Sequence, residues 1–514
     1  MGIEKKIQPG DSVYFVGIKG TGVCALAELM HTAGIKLSGS DINEVFYTDE
    51  ILKKLGIPYH EFFDASHIKD DINMVIYSAA YSADSNPELA EAQKRNIPLV
   101  KYPDALGAWS ANFDSAGIAG VHGKTTITAI TGVLMRAVGI PAGILVGSAV
   151  ADFNGRSTLT LGNKYFIAET CEYRRHFMAF HPKRIILSAV ESDHQDYFPD
   201  YESILNAFIE YCRLLPAGGE LIYCADNHGA CEVAEIIKKE NRGIILIPYG
   251  FSAAGEYRIT SCDVQSEQTI FSIAAFPGEF KIRIPGRHQA PNAAAALALV
   301  SLLVKKEFGE QTANGWNMEK INSVKEALEN FKGSKRRCEI IGEAGGILFM
   351  DDYGHHPTAI KTTLEGLKKF YPSRRLVVSF MSHTYTRTAA LLDDFASAFT
   401  GADILFHHKI YSSAREKYTG GVTGKTLYEK TTTVRKAESP GKQDTVLYSD
   451  EPLDAFDQLT GILKPGDLFL TMGAGNNWPL CEKLFNYFKS AEQKKISQSS
   501  LLAASLFLNT GEIQ

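Results

Sequence analysis

The stretch "GIAGVHGKTTITAITGVLM" (117–135) sets Gly123, Lys124 and Thr125 between an apolar run and a segment of helical period. Backbone N–H groups at a helix N-terminus collect anionic oxygens, so this spacing predicts a nucleotide-phosphate cradle. In such a cradle Lys124 reaches the outer phosphates and Thr125 offers its hydroxyl to Mg2+. The strict G-x-x-x-x-G-K-[ST] pattern wants glycine at 118, where this chain has Ile118. The ordinary alternative is a glycine turn with a solvated lysine. A second Gly-Lys-Thr, in "GGVTGKT" (420–426), follows polar residues instead of a strand and is expected to be a surface loop.

Other chemistry-bearing residues cluster at the ends of apolar runs. "FVGIKGTGVCALAELM" spaces Gly17, Gly20 and Gly22 as G-x-x-G-x-G, and Asp41 follows about twenty residues on. That arrangement suits a diphosphate at a helix N-terminus with Asp41 on a sugar or base, or else simply tight strand–helix packing. "YFIAETCEY" ends a run with Glu169, and "IILSAVESDHQDYF" ends another with Asp193 and His194. In an open parallel sheet these edges line one crevice, where a carboxylate and an imidazole can share Mg2+ with phosphates. "IPGRHQAPNAAAALAL" carries His288 and Asn292; the Asn amide can read adenine or cap the Ala-rich helix. "MDDYGHHPTAI" packs Asp351, Asp352, His355 and His356, best suited to polar substrate or nucleotide contacts. Arg336 and Arg337 in "SKRRCE" and Arg387 in "SHTYTRT" add cations for carboxylate or phosphate.

The elements that position these residues alternate as short β-rich runs and helical segments, which argues for parallel sheets with crossover helices. The pattern restarts three times over 514 residues, with breaks at "SANFDS" (110–115) and "FKGSKRR" (331–337). "YRITSCDVQSEQTIFSIAAFPGEFKIRIPG" alternates like antiparallel strands and predicts a small extra sheet in the middle unit. From "KKISQSS" on the chain reads as a tail in which "LLAASLFL" can form a short docked helix. The 53 basic and 59 acidic residues give net charge −6, no electrostatic case for nucleic acid or an anionic membrane. No signal peptide and no apolar run of about 18 residues is expected, which points to the cytoplasm. The eight cysteines form no C-x-x-C pair and read as reduced.

Taken together, "FVGIKGTGVCALAEL…GSD", "GVHGKTT", "AETCEYRRHF", "DHQDYF", "PGRHQAPNAAAA", "FKGSKRR", "DDYGHHPT", "SHTYTRT", "IYSSARE" and "MGAGN" resemble the Mur ligase family of ATP-dependent amide-forming enzymes. In that family the phosphate loop looks like G-x-x-G-K-T-T, so Ile118 is no defect. The resemblance implies an α/β, three-domain architecture: a Rossmann-like UDP-sugar domain (1–113), a central P-loop ATPase-like domain (114–333) and a Rossmann-like amino-acid domain (334–490), with 491–514 as a tail. It implies joining of L-alanine to UDP-N-acetylmuramate, with ATP and Mg2+, by a monomer or weak homodimer. By the same resemblance Gly17, Gly20, Thr21, Gly22, Asp41 and Ser78 bind the UDP-sugar. Gly120, His122, Gly123, Lys124, Thr125 and Thr126 cradle the ATP phosphates, and Thr125, Glu169 and His194 hold metal. Asn292, Arg337 and Asp352 serve the nucleotide. Tyr353, His355 and Arg387 face the reacting substrates, with Lys124, His355 and Arg387 as catalytic residues. Two departures are Gln289 where the family usually has Asn, and Thr384 where Arg is common; the second bears on amino-acid choice. A sister ligase that attaches a recycled tripeptide and a non-catalytic UDP-sugar sensor are the alternatives.

Overall fold

A computed structural model of the chain describes residues 9–44, 46–194, 197–309, 315–412, 420–438 and 445–509, with side chains to 494. Gln195 and Asp196 of "DHQDYF", "IYSSARE" beyond Ser412 and the side chains of "LLAASLFL" lie outside the described residues. Three sheets carry the fold. The first orders its strands Tyr59–His60, Lys36–Ser40, Ser12–Val16, Met74–Tyr77, Leu99–Lys101, with every pair parallel. The strand order reverses beside Ser12–Val16, so a crevice opens at its C-terminal end. Gly17, Asp41 and Ser78 each follow directly on one of these strands.

The second sheet has ten strands, with Asp114–Ala119 flanked in parallel by Arg184–Leu187 and Tyr165–Glu169. Val13 to Val16 and Ser115 to Ala119 are buried, as expected for parallel strands covered on both faces. The expected separate small sheet is corrected. Tyr257–Gln265 pairs in parallel with Ile245–Gly250, and with Gln268–Ile273 and Phe280–Ile282 it extends the same ten-stranded sheet. Local alternation shows that strands exist; the sheet they join is set by long-range pairing.

The third sheet runs Glu339–Ala344, Ile347–Asp352, Asp467–Met472, Arg375–Phe380, Ile404–His407, Val446–Tyr448, parallel except for its first pair. That antiparallel pair turns on Gly345 and Gly346, both at positive φ (60° and 74°), which a two-residue hairpin of this hand requires. The first sheet and most of the second belong to one compact unit, and the chain from Arg336 on, inside the glycine and basic stretch, makes up most of the other. "GGVTGKT" is a surface loop only in its first four residues, with Gly420 and Gly421 exposed. The expectation is corrected at Gly424, which starts the helix Gly424–Glu438 and is buried, and a Cβ there would sit on the His408 carbonyl. The helix Trp478–Asn509 passes position 490 without a backbone break. All eight cysteines are free thiols, and no described helix is long and apolar enough to cross a membrane.

Within the first unit the helix Tyr102–Ser110 lies against the turn Tyr173–Ala179. A Cβ on Gly107 would strike the Ala179 carbonyl oxygen and approach its carbon to 2.7 Å. Because the neighbour is backbone, Gly107→Ala is expected to lower unfolding free energy by about 3 kcal/mol, read from the denaturant midpoint. A wild-type midpoint would contradict that packing.

Candidate active site

The loop Gly120–Gly123 leaves the central strand and enters the helix Lys124–Val138. Gly120 and Gly123 take φ of 129° and 82°, values that L side chains avoid. A Cβ at Gly120 would meet the Ser188 hydroxyl and come within 2.7 Å of the Ala189 nitrogen. The Val121 N–H donates to the Ala189 carbonyl at 2.9 Å, and the Ser188 hydroxyl donates to the His122 carbonyl. The loop is thus stitched to the end of the neighbouring strand. His122 Nε2 lies 3.4 Å from Glu191, and Thr125 and Thr126 are buried in the first turn.

Lys124 curls back over the loop. Its ammonium donates to the Gly120 carbonyl and to both carboxylate oxygens of Glu172, at 3.1 and 3.0 Å. Burial pulls this ammonium's pKa down, but the charge of Glu172 outweighs it and the net shift is upward. For Glu172 burial alone would raise the pKa; Lys124 and His194 reverse this and hold it at about 2. His194 Nε2 stands 3.5 Å from Glu172. His194 takes a left-handed φ of 54°, held by its N–H to Asp193 Oδ1 (2.7 Å) and its carbonyl, which accepts from Tyr197 and Phe198. Glu169 accepts from the Thr125 hydroxyl at 3.2 Å and from the Gly147 N–H at 2.8 Å. Asn292 lies in the helix Gln289–Phe308, past its start, so it is no N-cap. A Cβ on Gly123 would meet Asn292 Oδ1 at 2.8 Å. Gln289 accepts from the Asn292 amide at 3.2 Å.

Lys124, Thr125, Glu169, His194 and Asn292 are therefore gathered at one strand edge. Glu172 is the residue that sequence reasoning missed. It follows Glu169 by three positions on a segment that has no period, and Arg174 and Arg175 beyond it are both left-handed (φ 51° and 60°). The donor set also fits Mg2+: a hydroxyl and the Glu169 carboxylate meet at the helix start, and the His194 imidazole lies against Glu172, which pairs with Lys124 of the same turn.

In the first domain Gly17 has φ 82°, and a Cβ there would come within 2.9 Å of Ser78 and Tyr81. Gly20, Thr21 and Gly22 open the helix Thr21–Thr32. A Cβ on Gly22 would lie 2.6 Å from the Tyr102 hydroxyl. Asp41 is buried and accepts N–H bonds from Lys19 (2.7 Å) and Ile42 (2.8 Å); burial raises its pKa and these donors oppose the rise.

In the second compact unit, Asp352 closes its strand. Its carboxylate accepts from the Cys338 N–H (2.8 Å) and the Gly354 N–H (2.7 Å), so it orders the turn that carries Tyr353 and His355. The guanidinium groups of Arg336 and Arg337 stack 5.1 and 5.2 Å from the Tyr353 ring centroid. His355 Nδ1 lies 2.9 Å from the Tyr353 carbonyl. His356 caps the helix Pro357–Phe370, and Thr384 caps the helix Tyr385–Ala390. Arg387 is buried and donates to the His383 carbonyl at 3.0 Å.

Comparison with known proteins places this arrangement. Residues 12–114 match the Mur ligase family, catalytic domain; residues 118–300 match the Mur ligase middle domain. Residues 336–475 match the Mur ligase, glutamate ligase domain. The chain belongs to the Mur ligase family. Among its relatives, the UDP-N-acetylmuramate–L-alanine ligase of Treponema pallidum (strain Nichols) is 49% identical over 480 residues, covering 93% of this chain and 97% of its own. The solved UDP-N-acetylmuramate–alanine ligase of Thermotoga maritima aligns with a TM-score of 0.72 at 22% identity, over 93% of this chain and 99% of that one. A murein peptide ligase from Psychrobacter arcticus covers the same shares at 22% identity with a TM-score of 0.63. The three sheets are accordingly the three domains of a Mur ligase. This Mur ligase departs from the strict phosphate-loop pattern only in the distal glycine: the buried side chain of Ile118 belongs to the strand, and the turn begins at Gly120.

Proposed function

We propose that this Mur ligase joins L-alanine to UDP-N-acetylmuramate in the cytoplasm, as a step of peptidoglycan precursor synthesis that consumes ATP. The observation that carries this reading is the 49% identity, over nearly the whole length of both chains, to a UDP-N-acetylmuramate–L-alanine ligase. The domain division 1–113, 114–333 and 334–490 belongs to the same reading.

The chemistry proposed is amide formation through an acyl phosphate. A carboxylate oxygen of the muramoyl group attacks the γ-phosphorus of ATP and ADP departs. The amine of L-alanine then attacks the acyl carbon, and phosphate leaves. Two anions must approach in the first step, so charge has to be neutralised where it develops. Lys124 does this from a fixed position, because Glu172 and the Gly120 carbonyl hold its ammonium over the amide-lined loop. Thr125, Glu169 and His194 would hold Mg2+, which supplies further neutralisation of phosphate oxygens when bound. Asn292 is assigned to adenine, with Arg337 and Asp352 serving the nucleotide. Gly17, Gly20, Thr21, Gly22, Asp41 and Ser78 are assigned to the UDP moiety. In the second step the amine must shed a proton. A carbonyl only accepts, so the contact to Tyr353 places the proton of a neutral His355 on Nδ1 and leaves Nε2 as the basic nitrogen. Tyr353 and Arg387 complete the substrate-facing set.

Phosphate release with UDP-N-acetylmuramate, ATP and Mg2+ over a panel of L-alanine, glycine, L-serine and tripeptide tests the reading. L-Alanine is expected to give the highest kcat/KM, with the tripeptide about 100-fold lower or worse. A tripeptide preference would make this a peptide-recycling ligase. No release with any acceptor would make it a UDP-sugar sensor.

A further inference from the structure

Lys19 sits between the first two glycines of the turn "GIKGTG" and turns inward. Its side chain is fully buried, with Nζ 3.1 Å from Asp49 and 2.8 Å from Glu61. The same ammonium donates to the carbonyls of Ile42 (3.2 Å) and Glu44 (3.0 Å), and it lies 5.3 Å from the Tyr59 ring centroid. Its main chain joins in: the N–H donates to Asp41 Oδ2 at 2.7 Å, and the carbonyl accepts from the Thr48 hydroxyl at 2.6 Å. Two carboxylates already neutralise this cation, so it is poorly placed to serve a diphosphate. What it holds instead is the chain on the far side of Asp41.

We propose that Lys19 is a positioning residue for the UDP-sugar, its buried ammonium fixing the Ile42 and Glu44 carbonyls and thereby the orientation of the Asp41 carboxylate. The inference rests on the assignment of Asp41 to the UDP moiety above. The Asp41 carboxylate is held by the main-chain N–H groups of Lys19 (2.7 Å) and Ile42 (2.8 Å), with a 3.4 Å contact from the Tyr81 hydroxyl, so its aim follows the backbone that the Lys19 ammonium fastens. Fastening Ile42 from the glycine turn couples the two halves of the crevice, since Gly17 packs on Ser78 and Tyr81 from the other side.

The test is steady-state kinetics of the full-length enzyme with UDP-N-acetylmuramate varied. Lys19→Met is expected to raise its KM about tenfold or more, since the part-buried carbonyls of Ile42 and Glu44 lose the donor that fixes them. The KM for ATP and kcat at saturating UDP-sugar stay at the wild-type values, because the phosphate loop belongs to a different sheet. Lys19→Arg, which keeps a donor and a charge, recovers part of the loss. Lys19→Met also leaves Asp49 buried without its cation, so a fall in Tm is expected. Lys19→Met/Asp49→Asn removes that charge and returns Tm toward wild type, while the UDP-sugar KM stays high. A KM that recovers together with Tm, or that is unmoved in Lys19→Met, overturns the clamp. Asp41→Asn separates the two assignments: an unchanged UDP-sugar KM there overturns the placement of the UDP moiety itself, and the clamp with it.

Discussion

Lys124→Ala is expected to reduce phosphate release by about 10^3-fold or more, the largest kinetic effect of any single substitution in the loop. The reason is positional. Lys124 Nζ is held on three oxygens from Gly120 and Glu172, over a turn whose two glycines leave no room for a Cβ. In the proposed reaction, removing it takes away the charge that neutralises two approaching anions. The substitution has a second consequence. Glu172 is 2% exposed, and Lys124→Ala leaves it beside the His194 imidazole at 3.5 Å with its lysine partner gone. An uncompensated buried carboxylate costs about 3–5 kcal/mol, so Lys124→Ala also lowers Tm. Lys124→Ala/Glu172→Gln resolves the two effects: Tm returns toward wild type while phosphate release stays low. Lys124→Arg keeps the ion pair but places a planar fork where a compact ammonium belongs, and recovers stability more than rate. Wild-type turnover by a folded Lys124→Ala protein would end the phosphate assignment.

The same residues show what can be read from a sequence and what cannot. The loop is legible because independent local signals coincide: an apolar run, a glycine that admits positive φ, a lysine, and a segment of helical period. The strand end that carries Glu169 is legible for a related reason, since a parallel strand buried on both faces reads as a short apolar run with a polar residue at the exit. Asp41, by contrast, leaves the polar strand Lys36–Ser40 and is legible only by its spacing from the glycine turn. Glu172 has no such signal. Its carboxylate reaches Lys124 because the chain turns through Arg174 and Arg175 in left-handed conformations, which no propensity assigns to arginine. Its one trace in the sequence is an acid three places beyond a strand end. Lys19 likewise carries no local signal for its burial: Asp49 and Glu61, which hold its ammonium inside, lie 30 and 42 residues away. The strands from Tyr257 to Ile282 are legible as strands, yet their place at the edge of the large sheet is a long-range fact. For "GGVTGKT" the reverse holds. Its glycine serves the close approach of a helix start to the His408 backbone, a packing demand that shares a spelling with a phosphate loop.

Gly147 offers the cleanest separation of metal binding from folding. It stands exposed in the strand Ala142–Val150, and its N–H holds Glu169 Oε2 at 2.8 Å. A Cβ built there would lie 2.5 Å from that oxygen, 2.8 Å from Cδ and 2.9 Å from Oε1. Every atom it meets is the mobile end of one side chain, so the fold can accept Gly147→Ala by swinging Glu169 aside. The backbone at Gly147 is not at positive φ, so no conformational strain is added. The carboxylate then leaves the Thr125 hydroxyl, which it now holds at 3.2 Å. Displacing or unsupporting a ligand in this way costs about 10–100-fold in metal affinity. Gly147→Ala is therefore expected to raise the Mg2+ concentration for half-maximal rate by about that factor, with the unfolding midpoint close to wild type. Glu169→Gln should move the Mg2+ midpoint in the same direction without any steric change. An unmoved Mg2+ midpoint in both variants would take Glu169 out of the ligand set and leave Thr125 and His194 to hold the ion without it. If only Gly147→Ala leaves it unmoved, Glu169 is a ligand that binds from a second rotamer, and the Gly147 N–H is not what aims it.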